Sequence, residues 1–263
     1  MQQPPPPPTL QIEDRDGGVR VLTLVRPARR NALDDALIAA LHAALAPGAS
    51  AGARALLLRG HGGTFCSGYD LTGLGAPAPG GPLPDDALMA ALARLQTHPL
   101  PSVALVQGTA FGAGCDLAAA CDFRVGGESA LFCMPPARLG VVYSADGISR
   151  LSRVVGPARA KQMFLTARRV DAPTALAWGL LDELHPDAQV EARALALCDL
   201  LSQGAPLAVA GMKETFRLLA RAPLAPEESA RLRQLRAEAF GSEDAREGRA
   251  AFLEKRRPHY TGR

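Results

Sequence analysis

The sequence predicts an α/β core that carries a helical C-terminal region. Strand-like and helix-like segments alternate through the first half of the chain, and the stretch beyond Gly140 reads as helical nearly to the end. Twice, a short strand runs through a glycine-rich turn into a helix or a tight loop. Periodicity specifies no more than that class.

The chain has 263 residues, 48% hydrophobic and 21% charged, ordinary values for a globular protein with a substantial core. A formal charge of +3 is too small to imply a nucleic-acid partner. Five cysteines (66, 115, 121, 133 and 198) form no Cys-x-x-Cys pair and are odd in number, which suits a reduced, cytoplasmic protein. The N-terminus lacks the layout of a signal peptide. The uncharged stretch 95–115 is interrupted by Pro99, Pro101, Gly108, Gly112 and Gly114, so no membrane span is expected.

Pro4 to Pro8 read as a solvated, disordered tail over residues 1–8. Apolar runs at Leu10–Ile12 and Val19–Val25 flank Asp16-Gly17-Gly18, a β-hairpin pattern. Asp34 or Asp35 then caps a helix with Leu37, Ile38, Leu41 and Leu45 at helical spacing. Arg54–Arg59 is a short buried strand leading into the loop 61–70, and a Gly/Pro-rich loop (72–84) precedes a helix near 85–97. A strand at 102–108 opens into a small-residue helix. Residues 122–125 and 130–134 are expected to pair as strands. Helices are expected near 146–168, 172–179, 187–203, 206–221, 226–240 and 243–256.

Chemistry is expected where Phe65-Cys66-Ser67-Gly68-Tyr69-Asp70 and Phe111-Gly112-Ala113-Gly114-Cys115-Asp116 lie. Small residues let a ligand approach the main chain, and the first N–H groups of a helix lack partners within it. Such donors attract an oxygen with partial negative charge, and two that converge make an oxyanion hole. Either segment alone reads first as a simple tight turn. His61-Gly62-Gly63 has no Gly-x-Ser-x-Gly elbow to accompany it, so no serine hydrolase is expected. No His or Cys has ligand spacing to another, and no metal site is expected.

Together these segments resemble the enoyl-CoA hydratase/isomerase (crotonase) family. Arg26-Pro27 followed by Asn31-Ala32-Leu33, FCSGYDL (65–71) and GTAFGAGCDLAAACDFRV (108–125) resemble its early motifs. The stretches 139–168, 175–186 and 247–258 are similar to its later blocks, so the likeness spans about residues 9–258. It implies a crotonase (ClpP-like) spiral of ββα repeats over 9–200 and a helical region, 201–263, used in oligomerisation. The implied substrate is an acyl-CoA thioester, coenzyme A being part of it and no separate cofactor being needed. The implied assembly is a homotrimer or a dimer of trimers. The hole amides would be those of Tyr69 and Ala113, where the family usually has Gly. Arg29, Ser67, Gly68 and Asp70 would meet the CoA moiety. Phe252 and Lys255 match positions from which a neighbouring subunit contacts it, although Lys255 also reads as an ordinary solvated helix end.

The family's hydratases use two glutamates as general base and acid. Asp116 stands at the first position, one methylene shorter, and Pro136 at the second, where nothing titrates. The two-carboxylate mechanism is incomplete. Leu139-Gly140-Val141-Val142-Tyr143 resembles methylmalonyl-CoA decarboxylases, which also lack the second glutamate but carry His where Tyr69 stands. Loss of CO2 needs an enolate-stabilising hole and no base. Tyr143 would orient the carboxylate, deliver a proton, or only pack beside the acyl chain. Asp116 would shuttle a proton between acyl carbons or merely cap its helix. Asp146 reads as a helix cap. Decarboxylation or Asp116-assisted proton transfer is therefore expected ahead of hydration using Asp116 alone. A non-catalytic acyl-CoA binder is the alternative of another class.

Overall fold

The computed structural model describes residues 9–73, 80–204, 206–219, 240–256 and positions 230, 237 and 258. The proline run 1–8, the middle of the loop 72–84 and nearly all of the helix expected at 226–240 lie outside the described residues.

Strands β1 (Leu10–Arg15) and β2 (Val19–Leu24) form the predicted hairpin, with Leu10 opposite Leu24 and Arg15 opposite Val19. Gly17 and Gly18 make its turn at φ 82° and 80°, a region that costs glycine little. β3 (Ala55–Gly60), β4 (Ser102–Val106), β6 (Phe123–Gly127) and β9 (Glu183–His185) add in parallel, giving the order β1-β2-β3-β4-β6-β9. Side-chain alternation sorts this sheet into two buried faces. Val19, Val21, Ala55, Leu57, Val103 and Leu105 pack with Val190, Ala194 and Cys198 of helix α7 (Val190–Ser202). Leu22, Leu24, Leu56, Leu58, Ala104 and Val106 join the core containing α1 (Asp35–Ala44), α2 (Asp86–Thr97) and α3 (Ala113–Ala120). Asp34, not Asp35, caps α1, accepting the Leu37 N–H at 2.9 Å.

A second, smaller sheet runs β5-β7-β8, with β5 at Thr109–Phe111, β7 at Leu131–Cys133 and β8 at Val170–Asp171. The expected pairing of 122–125 with 130–134 does not occur. Both edges of β6 are already taken by β4 and β9, so β7 turns into the other sheet, between β5 and β8. Gly126 and Gly127 permit the crowding beside β6: a Cβ on Gly127 would stand 1.9 Å from an Asp187 oxygen. The helix expected over 146–168 is two, α4 (Ala145–Val155) and α5 (Pro157–Thr166), divided at Gly156, whose φ is 81°. Pro157 suits the first turn of α5, where no amide partner is lost. Further along lie α6 (Ala172–Trp178), α8 (Pro206–Leu219) and α9 (Glu243–Leu253).

Each turn of the chain adds a strand to the large sheet and then a short step to the second layer. Leu33 bridges to Tyr69, Cys66 bridges to Ala110, and β5 pairs with β7, all in parallel. Asn31 fixes the first of these steps. It is fully buried with φ 55°, its Oδ1 accepts the Arg26 N–H at 3.0 Å, and its Nδ2 donates to the carbonyls of His61 (2.9 Å) and Thr64 (2.6 Å). Arg26 reinforces the joint through Asp34 and Asp70, each at 3.0 Å. The second step depends on Gly114, where a Cβ would lie 2.3 Å from the Cys66 carbonyl oxygen.

Asn31→Ala strips three hydrogen bonds from partly buried main chain and is expected to cost about 2–4 kcal/mol, read from the urea unfolding midpoint. Gly114→Ala forces two backbone segments apart, at an expected cost of about 1–3 kcal/mol. Gly211→Ala serves as the control, because a Cβ there meets nothing within 4 Å. Equal midpoints for the two glycine variants would refute the close approach.

Candidate active site

The two glycine-rich segments meet at the start of α3. Cys66 N–H donates to the Thr109 carbonyl (2.9 Å) and Phe111 N–H to the Cys66 carbonyl (3.0 Å), lacing them together. Gly68, at φ 111°, sits so close that a Cβ would be 2.9 Å from the Phe111 carbonyl oxygen and 3.8 Å from the Ala113 nitrogen. Only glycine fits there. Leu33 uses the carbonyl before Tyr69 and the amide after it, with Leu33 N to Gly68 O and Asp70 N to Leu33 O both 2.8 Å. In a parallel bridge that leaves the Tyr69 N–H facing the other way. Gly112 (φ 50°, ψ −116°) turns the chain into α3, its own N–H held by the Cys133 carbonyl at 2.8 Å. Ala113 is then the first helical residue, with an amide that has no carbonyl four residues back to use.

Among the described residues, neither the Tyr69 nor the Ala113 N–H has a hydrogen-bond partner. Both residues line one cavity of about 750 Å³. Ser67, Gly68, Gly112, Pro136 and Tyr143 share its wall.

Tyr143 faces the cavity with Phe164 behind it, ring centroids 5.5 Å apart, and its hydroxyl donates to Asp116 Oδ2 at 3.1 Å. Asp116 does not line the cavity and is 1% exposed. It does not cap α3 either: its other oxygen lies 3.5 Å from Nη1 of Arg150, 3% exposed on α4. Burial raises the Asp116 carboxyl above its ordinary range, against the opposing pull of Arg150 and the Tyr143 hydrogen bond. Burial and the neighbouring Asp116 push the Tyr143 phenol well up. Tyr69 is pushed up to about 12 by burial and by Asp35. Its hydroxyl points away to Asp35 (3.3 Å) and the Pro84 carbonyl (3.0 Å), so its contribution to the wall of interest is its amide.

Three of the residues expected to meet CoA, Ser67, Gly68 and Phe252, line the cavity. Arg29, Asp70 and Lys255 do not. Arg29 is exposed and offers its carbonyl to the Ser67 hydroxyl (3.1 Å). Asp70 is consumed as a brace. Burial opposes its charge, yet donors on Thr72 and Arg26 outweigh that and hold the carboxyl low. Lys255 is exposed in the turn after α9, at φ 55°.

Phe252 was expected to reach a neighbouring subunit's site; it lines the cavity of its own chain. Helix α9 folds onto the turn Pro136–Leu139, and a Cβ on Gly248 would stand 2.5 Å from the Leu139 carbonyl. Asp146, expected as a cap, is exposed, and Ser144 caps α4 by accepting the Gly147 N–H at 3.1 Å.

Sequence reasoning missed Arg150 and Asp85. Arg150 carried a signal: it falls on the face of α4 defined by Gly147, Leu151 and Val155, where a charge is out of place. Asp85, buried at the start of α2, is the one carboxylate among the described residues lining the cavity. Nothing in its surrounding Pro and Gly pattern singled it out. No group of three or more His, Cys, Asp or Glu is placed to hold a metal ion among the described residues, and none of their helices is long and apolar enough to cross a membrane.

A family model described as enoyl-CoA hydratase/isomerase matches residues 14–263. A probable enoyl-CoA hydratase of Rhodobacter capsulatus is 41% identical over 253 residues, covering 94% of this chain and 95% of the relative. The 2,3-dehydroadipyl-CoA hydratase of Escherichia coli K12 is 36% identical, covering 96% of this chain and 98% of its own. A solved methylmalonyl CoA decarboxylase, complexed with 2S-carboxypropyl CoA, superposes with a TM-score of 0.88 at 30% identity, covering 97% and 98% of the two chains. By sequence along nearly its whole length, and by its crotonase fold, the chain belongs to the enoyl-CoA hydratase/isomerase family.

Proposed function

We propose that the chain converts an acyl-CoA thioester through an enolate, whose oxygen takes hydrogen bonds from the Tyr69 and Ala113 amides. The observation that carries this is the pair of main-chain donors, unpartnered among the described residues, on the wall of one cavity. A preorganised donor of this kind is worth about 3–4 kcal/mol of transition-state stabilisation. Ala113 in place of the usual glycine keeps the donor and adds only a methyl group. CoA is part of the substrate, and no further cofactor is required. The reading extends to a cytoplasmic homotrimer or dimer of trimers, in keeping with the family resemblance and with exposed Leu165 and Phe216, 72% and 73% accessible in the single chain.

Decarboxylation or proton transfer fits the site better than hydration. Pro136 is buried at the cavity wall where a second carboxylate would be needed to activate water. Tyr143 stands on that wall, and the likeness to methylmalonyl CoA decarboxylase supports a role in handling a malonyl-type carboxylate. In that reaction the C–CO2 bond breaks, its electron pair becomes the enolate, CO2 leaves, and the α-carbon takes a proton. Hydration is the second reading, favoured by the hydratase names of the sequence relatives.

The test is incubation with crotonyl-CoA, a 3-enoyl-CoA and methylmalonyl-CoA, followed by mass and retention time. Loss of CO2 from methylmalonyl-CoA, or migration of the double bond, should outpace addition of water to crotonyl-CoA. Tyr143→Phe should lower that rate by about 10²–10⁴-fold. Fast hydration of crotonyl-CoA that survives Tyr143→Phe would select the second reading. Tight binding with no conversion of any of the three would reveal a binder without catalysis.

A further inference from the structure

We propose that Arg150, Asp116 and Tyr143 form one proton relay, in which Tyr143 alone meets the substrate and Arg150 governs the charge on Asp116. The kinetic half of this inference rests on the enolate reading above; the charge coupling does not.

Geometry sets the order of the three. Tyr143 lines the cavity, Asp116 lies behind its hydroxyl at 3.1 Å, and Arg150 lies behind Asp116 at 3.5 Å. Gly147 allows this depth of packing, since a Cβ there would stand 2.3 Å from the Tyr143 ring and 2.9 Å from Asp116 Oδ2. Asp116 and Arg150 are thus positioning residues: neither is on the cavity wall.

A phenol has one proton and spare lone pairs, so it faces only one way at a time as a donor. While Asp116 is ionised, the Tyr143 proton points at it, and the phenol presents a lone pair to the cavity. Once Asp116 is protonated, it can donate to the phenol oxygen, freeing the Tyr143 proton to face the cavity. Abstraction follows from the first state. A substrate C–H proton passes to the Tyr143 oxygen, the phenolic proton passes to Asp116 Oδ2, and the C–H electron pair remains as the thioester enolate. Delivery is the reverse: the enolate carbon takes the Tyr143 proton, and Tyr143 takes the one held by Asp116. Charge balances in both directions, and no phenolate accumulates.

Arg150 decides which state is at rest. A guanidinium keeps its charge, and a buried charge without a counter-ion is strongly unfavourable. Asp116 is the carboxylate paired with it, and its Nε has no hydrogen-bond partner among the described residues. The groups acting on Asp116 from the surrounding elements are Arg150 and Asp146 of α4 and Tyr143 of the preceding segment. Arg150 opposes the upward push of burial and of Asp146, so its removal must move Asp116 toward the neutral form.

The protonated carboxyl of Asp116, assigned by its loss in Asp116→Asn, can be titrated by infrared difference spectroscopy in the full-length protein. The band should disappear at higher pH in Arg150→Gln than in the wild type, with Arg150→Lys in between, circular dichroism serving as the folding control. If Arg150→Gln does not fold, wild type against Arg150→Lys decides the matter. An unmoved titration in a folded variant overturns the coupling. For the relay, decarboxylation or double-bond migration is compared in Tyr143→Phe and Tyr143→Phe/Asp116→Asn. The two should agree within about twofold, because an open contact leaves nothing for Asp116 to act through. A further large loss in the double variant overturns the series arrangement. Should the wild type turn over no thioester, the enolate reading fails while the infrared titration still decides the coupling.

Discussion

The approach of the Cys66–Gly68 segment to the first turn of α3 is the constraint on which the site depends. It is possible because Gly68 and Gly114 have no Cβ: either methyl would press within 3 Å of a carbonyl oxygen of the facing segment. The surrounding main chain satisfies the loop amides on either side of Tyr69. Cys66 N–H pairs across to Thr109, Asp70 N–H pairs back to Leu33, and Tyr69 N–H lies between with no ladder partner. Ala113 N–H is left over for an independent reason, the geometry of a helix start. Two amides made idle by different causes end on one wall. Buried polar groups are ordinarily paired, and this unpaired couple is what the proposed oxyanion hole rests on.

The same cavity separates contact from charge. Asp116 would cost a great deal to bury ionised and alone, and Arg150 would cost more. Burying both, linked at 3.5 Å, cancels the net charge without a tight hydrogen bond. A pair that close to balance is responsive. The carboxyl is already raised by burial, and small changes at the Tyr143 hydroxyl alter the competition. An isolated buried aspartate would simply be neutral, and one bound by several donors would stay ionised.

Much of the fold was legible because the sheet obeys simple periods. The leucine and valine runs of β2, β3 and β4 alternate between two cores, and Asp16-Gly17-Gly18 announced the first turn. What was not legible depends on which edges are free. Nothing local distinguishes Leu131–Cys133 pairing with β6 from pairing with β5, since that outcome follows from β4 and β9 occupying both sides of β6. β8 spans two residues, too short to carry a pattern within a helical context. At the site, the two loop motifs could be picked out from their residues, whereas Asp116 and Tyr143 came only through the family resemblance. Their serial order could not be read, because it is set by depth. Asp70 was misleading for a similar reason: its motif position is right, but Arg26 and Thr72 take its carboxylate into the scaffold.

Helix α9 adds a constraint that bears on the chemistry. Gly140 and Gly248 both lie against the main chain of the opposing segment, so α9 packs directly on the turn after Pro136. Phe252 and Arg256 reach the cavity from α9 and the turn after it, and Arg256 is held by Glu247 and Glu254. Pro136, which the family resemblance sets at the second carboxylate position, therefore sits in the turn that α9 covers. A carboxylate in place of Pro136 would be buried against that helix, at a cost unless it found a partner. Without it, Asp85 is the one carboxylate among the described residues on the cavity wall, so the pair of carboxylates that holds and activates water in a hydratase is not present there. On the proposed reading, Pro136 and the helix packed over it favour the same outcome: chemistry in which a proton moves and water does not.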